Sequence, residues 1–275
     1  MSLIKKEHDF LICFDSDGTV MDTMTIKHEK CFGPAFVKVF DIRSHEQEII
    51  DHWSEINLYT KDRGMNRFLG LKEIIEFTEN FGYEFKGKEY FNSWLQTTSR
   101  YSVDAIREVL DENDTESVLY KAVVWSNEVN AMIKTMPEPK PFDGVCEYIA
   151  KLSQKADLVG VSSAPKEAVY SEWKNVGIFD YFKLVACQDF GKKGDIIKRL
   201  LECGYDKDKV IMLGDATGDK NAADKNGVLF YPLVAKQENE YWKLFIETYA
   251  KKFFNGTYKG ECQKELENKF FEVLK

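Results

Sequence analysis

The chain has 275 residues, of which 44% are hydrophobic and 31% charged, so it is long enough for one domain with a large insertion or for two modest domains. Its formal net charge of −8 excludes a general nucleic-acid or anionic-membrane surface, since both need clustered basic residues. No apolar run reaches the ~18 residues of a membrane helix, and Met1-Ser2-Leu3-Ile4-Lys5-Lys6-Glu7 has neither the apolar core nor the cleavage site of a signal peptide.

The first element in chain order is a strand. Asp9-Phe-Leu-Ile-Cys-Phe14 is a short continuous apolar run before a glycine-containing turn, the pattern of a buried parallel strand. From about Met24 to Met136 the chain is rich in charge and aromatics, and strand-like runs are scarce. Ile49/Trp53/Ile56, Phe68/Leu71/Ile75 and Val118/Ala122/Trp125/Val129 form helical stripes there. Pro137-Glu138-Pro139-Lys140-Pro141 is stiff punctuation at its end.

Beyond it, short apolar runs recur at Leu158–Val161, Leu184–Cys187, Val210–Leu213 and Val228–Tyr231. Helical patterns separate them: Val145/Tyr148/Ile149/Leu152, Val169/Trp173/Val176 after Pro165, and Ile196/Ile197/Leu200/Leu201 ending near Gly204. From Asn239, Trp242/Phe245/Ile246/Tyr249/Phe253 and then Leu266/Phe270/Leu274 predict two C-terminal helices.

Strands alternating with helices imply an α/β, Rossmann-like core whose parallel sheet carries helices on both faces. The expected domains are a core of 1–23 and 138–275, including the C-terminal helices from about 239, and an inserted, mainly helical domain of 24–137. Six cysteines, scattered singly without CxxC or Cys/His metal spacing, fit reduced thiols in a cytoplasm.

Polar groups follow four of the strand ends at once, and in parallel α/β sheets ligands bind beyond those ends. The first is Asp15-Ser16-Asp17-Gly18-Thr19-Val20. Two carboxylates two residues apart allow one to attack phosphorus while the other moves a proton. A calcium loop fails on spacing, because Val20 and Ile26 stand where an EF-hand needs glycine and glutamate. The second is Ser162-Ser163-Ala164-Pro165, where a hydroxyl can donate to a phosphoryl oxygen beside a helix N-terminus.

Between the third and fourth strands comes Gly191-Lys192-Lys193-Gly194-Asp195. A lysine opening a helix is poorly placed for the helix dipole, which raises the question of what anion it serves. The fourth is Gly214-Asp215-Ala216-Thr217-Gly218-Asp219. Carboxylates clustered at neighbouring strand ends repel or protonate unless compensated, and a hard cation such as Mg²⁺ beside phosphate supplies that compensation.

Taken in this fixed order, the four runs resemble the haloacid dehalogenase-like (HAD) hydrolase superfamily. The resemblance covers residues 8–23 and about 140–233, close to two-fifths of the chain. It implies a phosphatase-type enzyme in which Asp15 attacks phosphorus to form an aspartyl-phosphate. Asp17 then protonates the leaving group and activates water, and Ser162 holds a phosphoryl oxygen. It assigns charge neutralisation to Lys193 rather than Lys192, because Lys193-Gly-Asp-Ile-Ile opens an amphipathic helix where the family has its lysine. It places Mg²⁺ on Asp15, the backbone carbonyl of Asp17 and Asp215, with Asp219 ligating directly or through water. Dehalogenase members lack the carboxylate that Asp17 supplies, so the resemblance implies phosphate chemistry.

By the same resemblance the insertion is the family's helical cap, and the substrate a small phosphorylated metabolite. Within it, Tyr59-Thr-Lys61-Asp-Arg63-Gly-Met-Asn-Arg67-Phe68 gathers three cations around a glycine. On a helix Arg63 and Arg67 would share a face, and Lys61, Arg63 and Arg67 are candidates for recognising the leaving group. A sugar phosphomutase with the same intermediate is the alternative enzyme, and a non-enzymatic phosphate-binding protein the alternative from another class.

Overall fold

The apolar run after Asp9 forms β1 (Phe10–Phe14), whose last four side chains are buried. The computed structural model describes residues 3–274 and contains two compact units. One comprises residues up to Met24 together with those from Glu138 onward; the other is Thr25–Pro137.

The second unit is helical. It follows α1 (Met24–Lys27) with a π-helical turn at His28–Phe32, then α2 (Gly33–Val39), α3 (Glu46–Leu58) and α4 (Arg67–Glu79). α5 (Lys88–Thr97), α6 (Val103–Arg107) and α7 (Val118–Lys134) complete it. Side-chain caps start several of these helices: Asn66 accepts from the Phe68 N–H and Ser117 from the Tyr120 N–H. The expected stripes face a core in which Trp53, Phe68 and Trp125 are at most 2% exposed. Trp53 also donates from its indole N–H to His28 Nδ1 at 3.1 Å.

In the first unit β1 is followed, after the insertion, by α8 (Val145–Leu152), β2 (Ala156–Val161), α9 (Lys166–Asn175) and β3 (Leu184–Ala186). Then come α10 (Lys193–Leu201), β4 (Val210–Gly214), α11 (Thr217–Asn226) and β5 (Leu229–Pro232). The five strands form one sheet in the order β3-β2-β1-β4-β5, parallel throughout. The sheet is therefore the doubly wound, Rossmann-like type that the strand–helix alternation predicts. β1 lies at its centre, paired with β2 (Phe14 opposite Gly160) and with β4 (Phe14 opposite Leu213). The strand order reverses between β1 and β4, which makes their carboxyl ends the topological switch point.

The C-terminal segment runs α12 (Glu238–Leu244), a π-helical turn at Phe245–Tyr249, and α13 (Ala250–Phe254), then α14 (Glu261–Val273). The two predicted helical stretches are present. The first is interrupted by the π turn, whose extra residue rotates the face that follows it. Trp242, Phe245, Phe253, Leu266 and Phe270 from this segment are buried in the same core as the strands.

Candidate active site

The chain turns sharply after β1. The Ser16 carbonyl accepts the N–H groups of Val20 and Met21, each at 2.9 Å, and Gly18 takes φ +75°. A side chain at Gly18 would be strained by that φ, and its Cβ would overlap the Asp215 carboxylate. The glycine is thus what lets the β1 turn and the end of β4 approach one another. Gly214 does the same for its neighbour, since a Cβ there would overlap Asp219.

The Asp15, Asp215 and Asp219 carboxylates converge, each offering an oxygen within 4.8 Å of the others. All three residues are buried, Asp15 being the most exposed at 7%. Asp219 sits in the first turn of α11, where its Oδ2 accepts the Ala216 N–H at 3.2 Å. Asp215 accepts from the Thr19 hydroxyl at 3.1 Å. Lys193, the first residue of α10, places Nζ 2.9 Å from Asp15 Oδ1 and 2.6 Å from Asp219 Oδ1. Lys192 is exposed as the residue capping that helix, so Lys193 is the lysine that meets the carboxylates.

The electrostatics of the cluster follow from this arrangement. Burial pushes the Asp15 carboxyl up to about 8; Lys193 opposes the rise, while Asp219 and Asp215 add to it. Burial alone would lower the Lys193 ammonium, but Asp15 and Asp219 hold it above its ordinary value. Three carboxyl groups thus share a desolvated space in which Lys193 contacts two of them. An all-oxygen donor set of this kind suits a hard divalent cation, and Asp15, Asp215 and Asp219 are the residues that could hold it.

The remaining predicted residues lie as follows. Asp17 is half-buried and accepts a hydrogen bond from the Thr23 hydroxyl; its carboxylate is not one of the three that converge. Ser162 is 2% exposed at the carboxyl end of β2, the strand beside β1, and its Oγ accepts the Ala164 N–H at 3.1 Å. In the helical unit, Arg63 and Arg67 do not share a helix face as expected. Gly64 at φ +73° and the Asn66 cap end the turn that holds Arg63, and α4 begins only at Arg67. Arg63 is 2% exposed and donates to the Leu58 carbonyl at 2.8 Å. Arg67 donates to Ser126 Oγ at 3.0 Å and to Asn130 at 2.9 Å, and lies over the Phe32 ring. Lys61 is exposed on the same turn as Arg63.

The contacts of four residues around the β1 turn are not legible in the sequence: those of Thr19, Thr23, Trp173 and Trp242. Thr19 was legible as part of the DxDGT run, though not its bond to Asp215. The two tryptophans read as helix-stripe residues, and nothing local marks which partner a buried indole N–H will find.

Comparison with known proteins accords with this geometry. The sequence profile of the family described as haloacid dehalogenase-like hydrolase matches residues 71–232, more than half of the chain. The match includes Ser162, Lys193, Asp215 and Asp219, and the Asp15–Thr19 run precedes it. No curated protein matches the chain.

Among solved structures, one assigned by prediction as a phosphoglycolate phosphatase, from Lactobacillus delbrueckii subsp. bulgaricus, is 16% identical with a TM-score of 0.52. The similarity covers 82% of this chain and 85% of that one. A phosphatase by prediction from Clostridium difficile is 21% identical (TM-score 0.49; 82% and 86% of the two chains). A predicted phosphatase from Clostridium acetobutylicum is 18% identical (TM-score 0.47; 88% and 91%). At such identities the Lactobacillus likeness shows the fold alone. With more than half its length matched by the family profile, the chain belongs to the haloacid dehalogenase-like hydrolases.

Proposed function

We propose that the protein is a Mg²⁺-dependent phosphatase that hydrolyses a small phosphorylated metabolite through an aspartyl-phosphate on Asp15. The observation that carries this reading is the Lys193 ammonium bridging Asp15 and Asp219 while Asp215 converges on both, at the switch point of the sheet. Phosphoryl transfer asks a protein mainly for positioning and for positive charge around phosphate oxygens.

In this reading Asp15 attacks phosphorus and the ester P–O bond breaks. Asp17 gives its proton to the departing oxygen. Asp17 then takes a proton from water, which attacks phosphorus, releases inorganic phosphate and restores Asp15. The Lys193 ammonium offsets charge on the nucleophile and the phosphoryl group, and Ser162 donates to a phosphoryl oxygen. A Mg²⁺ ion held by the carboxylates would supply further positive charge against the phosphoryl oxygens. The helical unit is assigned the family's cap role, the choice of leaving group. Of Lys61, Arg63 and Arg67, Arg63 is the least suited to meet substrate, because it is buried on the Leu58 carbonyl.

The test is a panel of small phosphate esters with Mg²⁺, followed by assay of free phosphate and of isomerised substrate. Release of phosphate that stops on chelation is expected. Asp15→Asn should lower kcat by at least about a thousandfold. Full activity in that variant, or isomer in place of phosphate, would overturn the reading.

A further inference from the structure

Two buried indoles grip the turn that carries Asp15 and Asp17. Trp173 of α9 donates from Nε1 to Ser16 Oγ at 3.0 Å. Trp242 of α12 donates from Nε1 to the Thr19 carbonyl at 2.7 Å. Both rings have no solvent exposure. Trp242 also stacks on Phe14, the residue before Asp15, with ring centroids 6.1 Å apart and planes 9° from parallel, and Tyr148 stacks beside it. Thr19, whose carbonyl it holds, is the residue whose hydroxyl donates to Asp215 Oδ1.

A continuous path therefore runs from the C-terminal segment through one backbone residue to a carboxylate of the cluster. We propose that Trp242 is a positioning residue. Its N–H fixes the Thr19 carbonyl, and this fixes the Thr19 hydroxyl against Asp215 and the geometry in which Asp15, Asp215 and Asp219 take up a divalent cation. The inference rests on reading those carboxylates as a cation site. It gives the α12 segment a part in that site beyond filling the core.

The chemistry behind it is local. The Thr19 carbonyl is buried, and its bond to Trp242 is made within a fully desolvated region. Removing the donor leaves a buried acceptor unpaired, so the turn shifts to recover a partner. Such a shift moves the Thr19 hydroxyl with it. A ring that served packing alone would lower stability when trimmed and leave cation affinity where it was.

The test is calorimetric titration of metal-stripped protein with Mg²⁺, in the full chain. Trp242→Phe keeps a ring against Phe14 and removes the donor. It should weaken Mg²⁺ binding about fivefold, the equivalent of ~1 kcal/mol. Thr19→Val should weaken it similarly, and the double variant should bind no worse than Thr19→Val alone, because both act on one path. Phe270→Leu trims an α14 ring packed on Phe230, outside that path; it should lower the melting temperature at unchanged Mg²⁺ affinity.

If Trp242→Phe fails to fold, the benzothiophene isostere of tryptophan at 242 keeps the ring shape without the N–H and should show the same weakening. Mg²⁺ affinity within about twofold of wild type in the donor-less variant, or additive losses in the double variant, overturns the proposal. A wild-type protein that takes up no Mg²⁺ overturns the cation-site reading, and the positioning role with it.

Discussion

Gly18 carries two constraints that can be separated experimentally. Its φ of +75° penalises any side chain, and its Cβ direction is filled by the Asp215 carboxylate. Gly177 has the same φ of +75° with nothing within 4 Å of an added Cβ. Gly177→Ala therefore reports backbone strain alone, roughly 1 kcal/mol. Gly18→Ala adds the displacement of a buried carboxylate to the same strain. It should lose more stability than Gly177→Ala in denaturant titration and at least about a hundredfold in phosphate-ester turnover, while Gly177→Ala stays active. Equal losses in the two variants would mean that the Gly18–Asp215 approach has no role in the site.

Among elements, β2 makes an unusual connection at the end of the sheet away from the carboxylate cluster. Asp157 in that strand has a fully buried side chain. It accepts the N–H groups of Glu7 and His8 at 2.8 and 3.0 Å and the Tyr205 hydroxyl at 2.5 Å, and the His8 ring stands at 3.1 Å. Burial alone would raise the Asp157 carboxyl, but the His8 N–H, the Tyr205 hydroxyl, the Glu7 N–H and the His8 ring together bring it below its ordinary value.

A carboxyl whose folded-state pKa is depressed stabilises the fold above its unfolded value, ~3.9, and the gain is lost as pH falls through the folded-state pKa. Asp157→Asn should cost about 2 kcal/mol at neutral pH. It should also flatten the acid limb of a stability–pH curve below about pH 4. A variant curve parallel to wild type throughout that limb would show that Asp157 does not titrate with unfolding.

These elements also show what a single sequence exposes. The strands of the sheet announce themselves because strands buried on both faces must be short and continuously apolar, and the β1 and β2 runs stop directly at Asp15 and Ser162. Lys193 was legible because a cation at a helix start works against the dipole and needs an anion to explain it. The shared face of Arg63 and Arg67 is not realised because four-residue spacing is helical only if the chain between is; Gly64 and Asn66 make a turn there. Trp242 was recognised as a core residue and no more. Periodicity tells which face of a helix is buried, and the acceptor for its N–H lies 223 positions away in the chain.

At the scale of the whole molecule there are two apolar cores, one built on the sheet from two separate stretches of chain and one on the helices of Thr25–Pro137 inserted between those stretches in sequence. The carboxylate cluster belongs wholly to the first, since Asp15, Asp215 and Asp219 all lie in the residues up to Met24 or from Glu138 onward. A cation that binds those carboxylates when folded, and has no such site when they are unfolded, stabilises the unit that holds them by mass action. At a concentration one hundred times its dissociation constant the gain is about 2.7 kcal/mol. For a unit of this size that raises the melting temperature by roughly 5–10 °C.

Scanning calorimetry with and without Mg²⁺ should show such a rise in the transition of the sheet-containing unit. Chelation should remove it, and Asp215→Asn should abolish it without lowering the metal-free transition to the same degree. Removing one of three mutually repelling buried carboxylates relieves part of their repulsion, and this offsets the loss of the Thr19 bond to that side chain. A melting temperature indifferent to Mg²⁺, or one that rises as much in Asp215→Asn as in wild type, would place the cation elsewhere than on these carboxylates.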